Sequence, residues 1–297
     1  MSDRSAPGFS FCAVGVRRGR EGDSAPSRAA AYAQGVSQIR IIQQIADRVS
    51  DPRPFLTAEW RDLVIANFRV PASLLKPLVP RGTILDLWQE RALVSLVGFR
   101  FVETRVLGVA VPMHRDFVEV NLRFYVRREL SSGPRRSVVF IRELVPRRAI
   151  AWAARALYNE PYRALPMRHS HRANPASSTW RYEWQEGGAW AGFSAEATGA
   201  AEDLTPGSKA EFITEHYWGY TAQRDGGTVE YRVDHPSWRV WSNPTFRMHG
   251  DLRRTYGESF GAFLSGEPDS VFVAVGSPVT VFRPRRLTAV DLHHGTG

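Results

Sequence analysis

The sequence predicts a β-rich α+β domain, on three observations. Strand-length runs with period-two alternation recur from Phe55 onward, turn signals separate several of them, and the βαβ alternation that winds a parallel sheet is missing. The clearest run covers residues 117–127, with Val118, Val120, Leu122, Phe124 and Val126 on one face and Glu119, Asn121, Arg123, Tyr125 and Arg127 on the other. Trp180, Tyr182 and Trp184 alternate with Arg181 and Glu183, and Gly187-Gly188 then turns the chain into a strand over 189–197. Asp225-Gly226-Gly227 joins strands over 217–223 and 228–233 in the same way.

The remaining elements follow in order. Residues 1–28 are rich in Ser, Ala, Gly and Arg without periodicity and read as a disordered leader or a misassigned start. Residues 28–49 read as a helix, with Val36, Ile39, Ile42 and Ile45 along one side, stopped by Pro52 and Pro54. Such a helix packs on the domain or, alternatively, meets another copy of the chain as a homo-oligomer contact. A short helix is expected over 71–78, started by Pro71 and closed by Pro80. Strands over 84–88, 92–101 and 138–145 join that over 117–127, and the alanine-rich stretch 147–158 reads as a helix packed through Ile150, Ala154 and Leu157. Asp251 caps a helix carrying Leu252, Tyr256, Phe260 and Phe263, before closing strands over 271–275 and 279–282. The domain is thus expected over 54–287, with a linker before it and a flexible tail over 288–297.

Composition narrows the function classes. No apolar run approaches the roughly 18 to 20 residues of a membrane helix, and the first 35 residues hold no secretory block, so a cytoplasmic protein without a membrane partner is expected. A single cysteine, Cys12, excludes an intramolecular disulfide and a thiolate metal site. The net charge of +9 is dispersed and interrupted by Asp and Glu, which argues against a nucleic-acid partner. Apart from Lys76 and Lys209 every basic residue is arginine, a bias typical of GC-rich bacterial coding. Gly-rich phosphate loops, the P-loop pattern and the Gly-x-Ser-x-Gly elbow are absent, so no cofactor is expected.

Three groups of residues carry candidate chemistry. The polar face of the strand over 117–127 either meets solvent or lines a polar cavity, and in the second case Glu119, Asn121 and Arg123 form a binding wall. Arg142-Glu143 and Pro146-Arg147-Arg148 mark a junction of strand and helix, where Arg147 or Arg148 grips a carboxylate or phosphate, unless both are simply solvated. His216 is a general base if it faces a cavity and a structural histidine otherwise. His169 and His171 lie at a spacing seen in metal sites, but no third ligand is evident, and no metal is expected.

Several motifs in the chain closely resemble a bacterial family, domain of unknown function 2071. They include Phe55-Leu56-Thr57-Ala58-Glu59-Trp60, Leu85-Asp86-Leu87-Trp88, Ser95-Leu96-Val97-Gly98-Phe99, Phe117-Val118-Glu119-Val120-Asn121-Leu122-Arg123, Asn159-Glu160-Pro161-Tyr162, Glu215-His216-Tyr217-Trp218 and Gly276-Ser277-Pro278-Val279. That likeness supplies no function. More remotely the pattern is similar to acetoacetate decarboxylase, which implies a closed, cone-like β-barrel with flanking helices around a buried cavity. In that enzyme an Arg-Glu pair precedes Pro-Lys-Lys, whose first lysine forms a Schiff base while its neighbour depresses its pKa. Here the matching residues are Arg147 and Arg148, and arginine stays protonated, so it cannot form the imine. The decarboxylase's catalytic glutamate has no clear counterpart either.

The expectation is therefore a cavity that binds a small organic anion, a keto or hydroxy acid. Arg123, Arg147 or Arg148 supplies the cation, Asn121 a polar contact, and Glu119, Glu143 or His216 the acid or base. Whether a reaction follows stays open, and the alternative is a non-catalytic ligand sensor or interaction module on the same barrel.

Overall fold

The computed structural model describes residues 54–110, 114–147, 159–288 and 291. The expected leader, the expected helix over 28–49, all but the first residue of that over 147–158, Arg148, and residues 289, 290 and 292–297 of the expected tail lie outside the described residues.

The first half of the domain comprises β1 (Pro54–Val70), α1 (Ala72–Leu75) with a 3-10 turn (Lys76–Leu78), β2 (Ile84–Leu85), β3 (Ala92–Val106), β4 (Val109–Ala110), β5 (Phe117–Arg128) and β6 (Arg135–Val145). The second half holds β7 (Tyr162–Ala164), β8 (Met167–Ala173), β9 (Ser177–Glu186), β10 (Ala189–Thr198) and α2 (Lys209–Thr214). It continues through β11 (Trp218–Ala222), β12 (Thr228–Asp234), β13 (Val240–Ser242), β14 (Thr245–His249), α3 (Leu252–Leu264), β15 (Ser270–Phe282) and β16 (Arg285–Arg286).

Hydrogen bonds order the main sheet β15-β1-β3-β5-β6-β11-β12, and β12 also pairs β15 through Val233↔Val281 and Asp234↔Thr280, so the path returns to the strand it left. A second sheet of four strands, β14-β10-β9-β8, carries the predicted Trp180, Tyr182 and Trp184 alternation. Its β9–β10 turn uses Gly187 and Gly188 at φ 57 and 82, the left-handed pair that a two-residue hairpin needs.

The two sheets explain the two faces of β5. Val120, Leu122, Phe124 and Val126 lie in one core cluster with Trp180, Tyr182, Trp184 and Phe193 of the second sheet. The outer face of the main sheet is therefore the covered, apolar one. The opposite face of β5 carries Glu119, Asn121, Arg123 and Tyr125, all buried, so this face meets the interior and not solvent. On β3 and β1 the interior is mostly apolar, with Leu63, Ile65, Val97, Phe99 and Phe101 in a second cluster.

Two bulges set which residues point inward. In β1 the register shifts between Arg61 and Val64, and Asp62 adopts φ 61. Inward positions consequently change from Ala58 and Trp60 to Leu63 and Ile65. In β6 the pairing passes from Leu122↔Arg142 to Arg123↔Phe140, leaving Ile141 as the extra residue. Val138 and Phe140 face the interior on one side of this bulge and Glu143 on the other, whereas Val139 and Leu144 belong to the core between the sheets. The last predicted strands, over 271–275 and 279–282, are one continuous β15 in which Gly276, at φ 82, takes the irregularity. Asp251 caps α3 as expected, its carboxylate accepting from Arg253 N at 3.1 Å, and Gly257 kinks the helix. Among the described residues no helix is long and apolar enough to cross a membrane.

Candidate functional site

The interior of the main sheet holds a cavity of about 520 Å³. β5 supplies Glu119, Asn121 and Arg123 to its wall, as alternation along one strand requires. β6 adds Glu143, which pairs with Asn121 across the sheet. β7 runs parallel to β6 with Tyr162 beside Glu143, which brings Glu160 and Tyr162 into the same wall. His216 enters from the segment between α2 and β11, and Tyr231 from β12.

Three carboxyls thus share one buried region. Asn121 Nδ2 donates to Glu119 Oε1 at 3.0 Å, the Tyr162 hydroxyl donates to Glu119 Oε2 at 3.2 Å, and the Tyr231 hydroxyl donates to Glu160 Oε1 at 2.6 Å. Burial pushes the Glu119 carboxyl up to about 7, against the pull of its bonds to Asn121 and Tyr162 and of the Arg123 charge. Burial raises Glu160 to about 8, opposed by its Tyr231 bond and reinforced by Glu119. Glu143 is held well above the usual carboxylate range by burial and then by the Glu160 and Glu119 charges, and its Oε2 has no hydrogen-bond partner. Near neutral pH this group stores protons.

Arg123 sits beside them in a different state. Its Nη2 donates to the Ile213 carbonyl at 3.3 Å, and among the described residues its Nε has no acceptor and it forms no ion pair, although its side chain is buried. The other buried arginine among the described residues is paired: Arg128 bonds both Glu230 and Asp291. His216 packs its ring on Tyr125 with centroids 4.7 Å apart, and neither ring nitrogen has a hydrogen-bond partner. Burial, with Arg136 and Arg123 nearby, keeps its pKa well below the usual imidazole value, so the ring is neutral.

The structure therefore gathers Glu119, Asn121, Arg123, Glu143 and His216 around one space. It does not bring Arg147 there: β6 ends at Val145, Pro146 diverts the backbone, and Arg147 is exposed and outside the cavity wall. Of the three arginines expected as alternative cations, Arg123 therefore lies at the cavity and Arg147 away from it, while Arg148 lies outside the described residues. Neither lysine lines the cavity, since Lys76 is exposed and Lys209 pairs with Asp269 at 2.5 Å. His169 and His171 lie on the exposed β8, where His171 stacks on Trp180 with centroids 5.0 Å apart. Among the described residues no three His, Cys, Asp or Glu side chains are grouped to hold a metal ion.

Sequence reasoning passed over Glu160, Tyr162 and Tyr231 as site residues. The signal available for the first two was the Asn159-Glu160-Pro161-Tyr162 motif, in which Asn159 adopts φ 56 and the Pro161 carbonyl accepts from Glu143 N at 3.2 Å. Tyr231 alternates with Glu230 and Arg232 along β12, and that pattern alone gave no reason to assign it a site.

The uncharacterized protein YqjF of Bacillus subtilis (strain 168) is 31% identical over 104 residues, which cover 35% of this chain and 41% of that protein. The match thus spans less than half of that relative's length. Acetoacetate decarboxylase from Legionella pneumophila superposes with a TM-score of 0.56 at 12% identity, over 79% of this chain and 87% of that one. The enduracididine biosynthesis enzyme MppR, in its complex with pyruvate, superposes with a TM-score of 0.58 at 14% identity, over 80% of this chain and 92% of that one. At such identities the likeness shows the fold alone, which is acetoacetate decarboxylase-like. The family model DUF2071, described as an uncharacterized conserved protein, matches residues 57–278, and the chain belongs to that family.

Proposed function

We propose that this chain binds a small organic anion, an oxo or hydroxy acid, with its carboxylate on Arg123 inside the cavity, and that it does so without forming an imine. The observation that carries the reading is Arg123 itself, a buried guanidinium with no ion pair among the described residues and an unused Nε donor, in the wall of the cavity. A buried cation without a counter-charge is costly, and an incoming carboxylate relieves that cost through a charge-assisted contact. The second pairing of β12 supports the closed β-barrel that this reading needs, because it joins the last strand of the path to β15.

The neighbouring groups suit an acid that carries a further oxygen. Glu119 and Glu143 hold protons near neutral pH, so each can donate to a carbonyl or hydroxyl oxygen. Glu119, at about 7, is also the group equipped to exchange a proton with a bound substrate, whereas His216 is available as a neutral acceptor. MppR, a structural neighbour, is described in complex with pyruvate, which supports an oxo acid as the first ligand class to test. An imine needs a neutral amine in the cavity, and both lysines lie elsewhere.

Isothermal titration of the full chain with pyruvate, lactate and acetoacetate tests the reading. Saturable binding is expected, weakened more than about tenfold by Arg123→Gln because a buried charged contact is lost. Sodium borohydride added to the complex is expected to leave the protein mass unchanged. Absence of binding by any oxo or hydroxy acid, or equal binding by Arg123→Gln, removes the proposal, and a stable borohydride adduct removes its second half.

A further inference from the structure

The cavity is larger than a three-carbon acid needs, and its arginine and carboxyl groups lie toward one end, while the polar residues beyond them are Thr104, His114 and His235. Along the inward face of β5 the order is Phe117, Glu119, Asn121, Arg123. Arg123 pairs across to Ser95 and Phe140, and His216 stacks on the next inward residue, Tyr125, so the guanidinium and the imidazole share one level. Glu143 faces Asn121, and Tyr162 bonds Glu119, so the carboxyls form the middle level. At the level of Phe117 the carboxyls give way to rings, with Thr104 and His114 at the same end of the lining. Phe117 stacks on Phe101 with centroids 4.6 Å apart and planes at 13°, and Trp60 meets Phe101 and Phe99 edge-on at 5.9 and 5.3 Å. Six residues of strand separate Arg123 from Phe117, about 20 Å at the extended rise per residue. At roughly 30 Å³ per water molecule, the 520 Å³ of space exceeds what a three-carbon acid fills.

We infer that the natural ligand is an oxo or hydroxy acid with an extended apolar chain or aromatic ring, held with its carboxylate at Arg123, its oxygen among Glu119 and Glu143, and its apolar end against Trp60, Phe101 and Phe117. The inference rests on the anion reading above and adds the tail. Sites of this size are lined mostly by apolar and aromatic groups, with a few polar groups that fix orientation, and the levels described here have that distribution. The aromatic level supplies affinity, and the polar end fixes which way the acid enters.

A chain-length series on the full protein tests this: pyruvate, 2-oxobutyrate, 2-oxohexanoate, 2-oxooctanoate and phenylpyruvate, read by titration calorimetry. Affinity is expected to rise up to about fourfold for each added methylene, the equivalent of burying one such group, and to level off when the chain reaches the rings. In Phe117→Ala the gain in affinity per added methylene is expected to be smaller than in the wild type. The wild-type series reads the tail even if that variant fails to fold. Binding of pyruvate with no gain along the series overturns the inference and leaves the anion reading standing. Failure of every acid, pyruvate included, overturns both.

Discussion

Glu119 and Glu160 keep their protons in the fold over a range in which the unfolded chain has lost them. Their carboxyls sit at about 7 and about 8, against 4.5 for an unburied glutamate. Between about pH 4.5 and about pH 8 the native state therefore binds more protons than the unfolded state, and stability falls as pH rises through that window. Below the window both states are protonated, and this contribution is constant. The Glu119 shift alone corresponds to about 3 kcal/mol at ~1.4 kcal/mol per unit, and coupling among the three carboxyls means that the separate values do not add. Urea unfolding across this range is expected to show a midpoint that declines with pH. Glu119→Gln retains an acceptor for Asn121 and removes one titrating group, so it is expected to raise stability above about pH 7 and reduce the slope. Stability that instead climbed with pH would mean that these carboxyls are ionised and paired in the native protein.

At the scale of the element, the position of each inward side chain depends on strand parity and on what breaks it. The alternation of β5 was legible in the sequence, down to the separation of Glu119, Asn121 and Arg123 from the apolar face. That the polar face is the inner one was not, because it follows from the second sheet covering the outer face, and nothing within residues 117–128 encodes that cover. Glu143 was selected from its motif, yet its inward aim depends on the extra residue at Ile141. β1 was not read as a strand, because Leu63, Val64, Ile65, Ala66, Asn67 and Phe68 are buried on both faces and so show no alternation, and the Asp62 bulge interrupts the rest. β8 was noticed only for its two histidines, since an exposed polar edge strand lacks the apolar period that marks one. Glu160 and Tyr162 reach the site through the parallel pairing of β6 with β7, a non-local contact with no local signature.

Gly98 shows how the two sheets impose sequence. A Cβ at this position would lie 2.7 Å from both Tyr182 and Phe193, rings that close the second sheet against β3. Gly98→Ala is therefore expected to destabilise the protein by ~1–3 kcal/mol through overpacking, measured as a lower urea midpoint with an unchanged slope. A neutral result would mean that the sheets are more loosely apposed than the ring positions imply.

For the whole molecule, the decisive join lies where β12 meets the rest of the main sheet, and one buried carboxylate holds it. Glu230 on β12 accepts from Arg128 of β5 at 3.4 Å, Arg135 of β6 at 3.0 Å, Arg285 of β16 at 2.6 Å and the Tyr220 hydroxyl of β11 at 3.0 Å. Five strands thus share one charge centre, and Glu230 and Arg128 are each only 3% exposed. The next residue, Tyr231, bonds Glu160 in the cavity wall, so the same strand fixes the join and one of the site's carboxyls. Removing one partner of a buried ion pair leaves the other charge uncompensated, and Glu230→Ala is expected to lower stability by ~3–5 kcal/mol. Glu230→Gln keeps an acceptor for Tyr220 and should fall between that variant and the wild type. Both variants are expected to weaken acid binding at temperatures where they remain folded, because Tyr231 loses its fixed position. Urea unfolding and titration with pyruvate on the same samples check the two effects together. A change in stability below about 1 kcal/mol, the scale of an exposed pair, would mean that the four donors are satisfied without this carboxylate. Unchanged binding in a destabilised but folded Glu230→Ala would mean that the cavity wall holds its shape independently of β12.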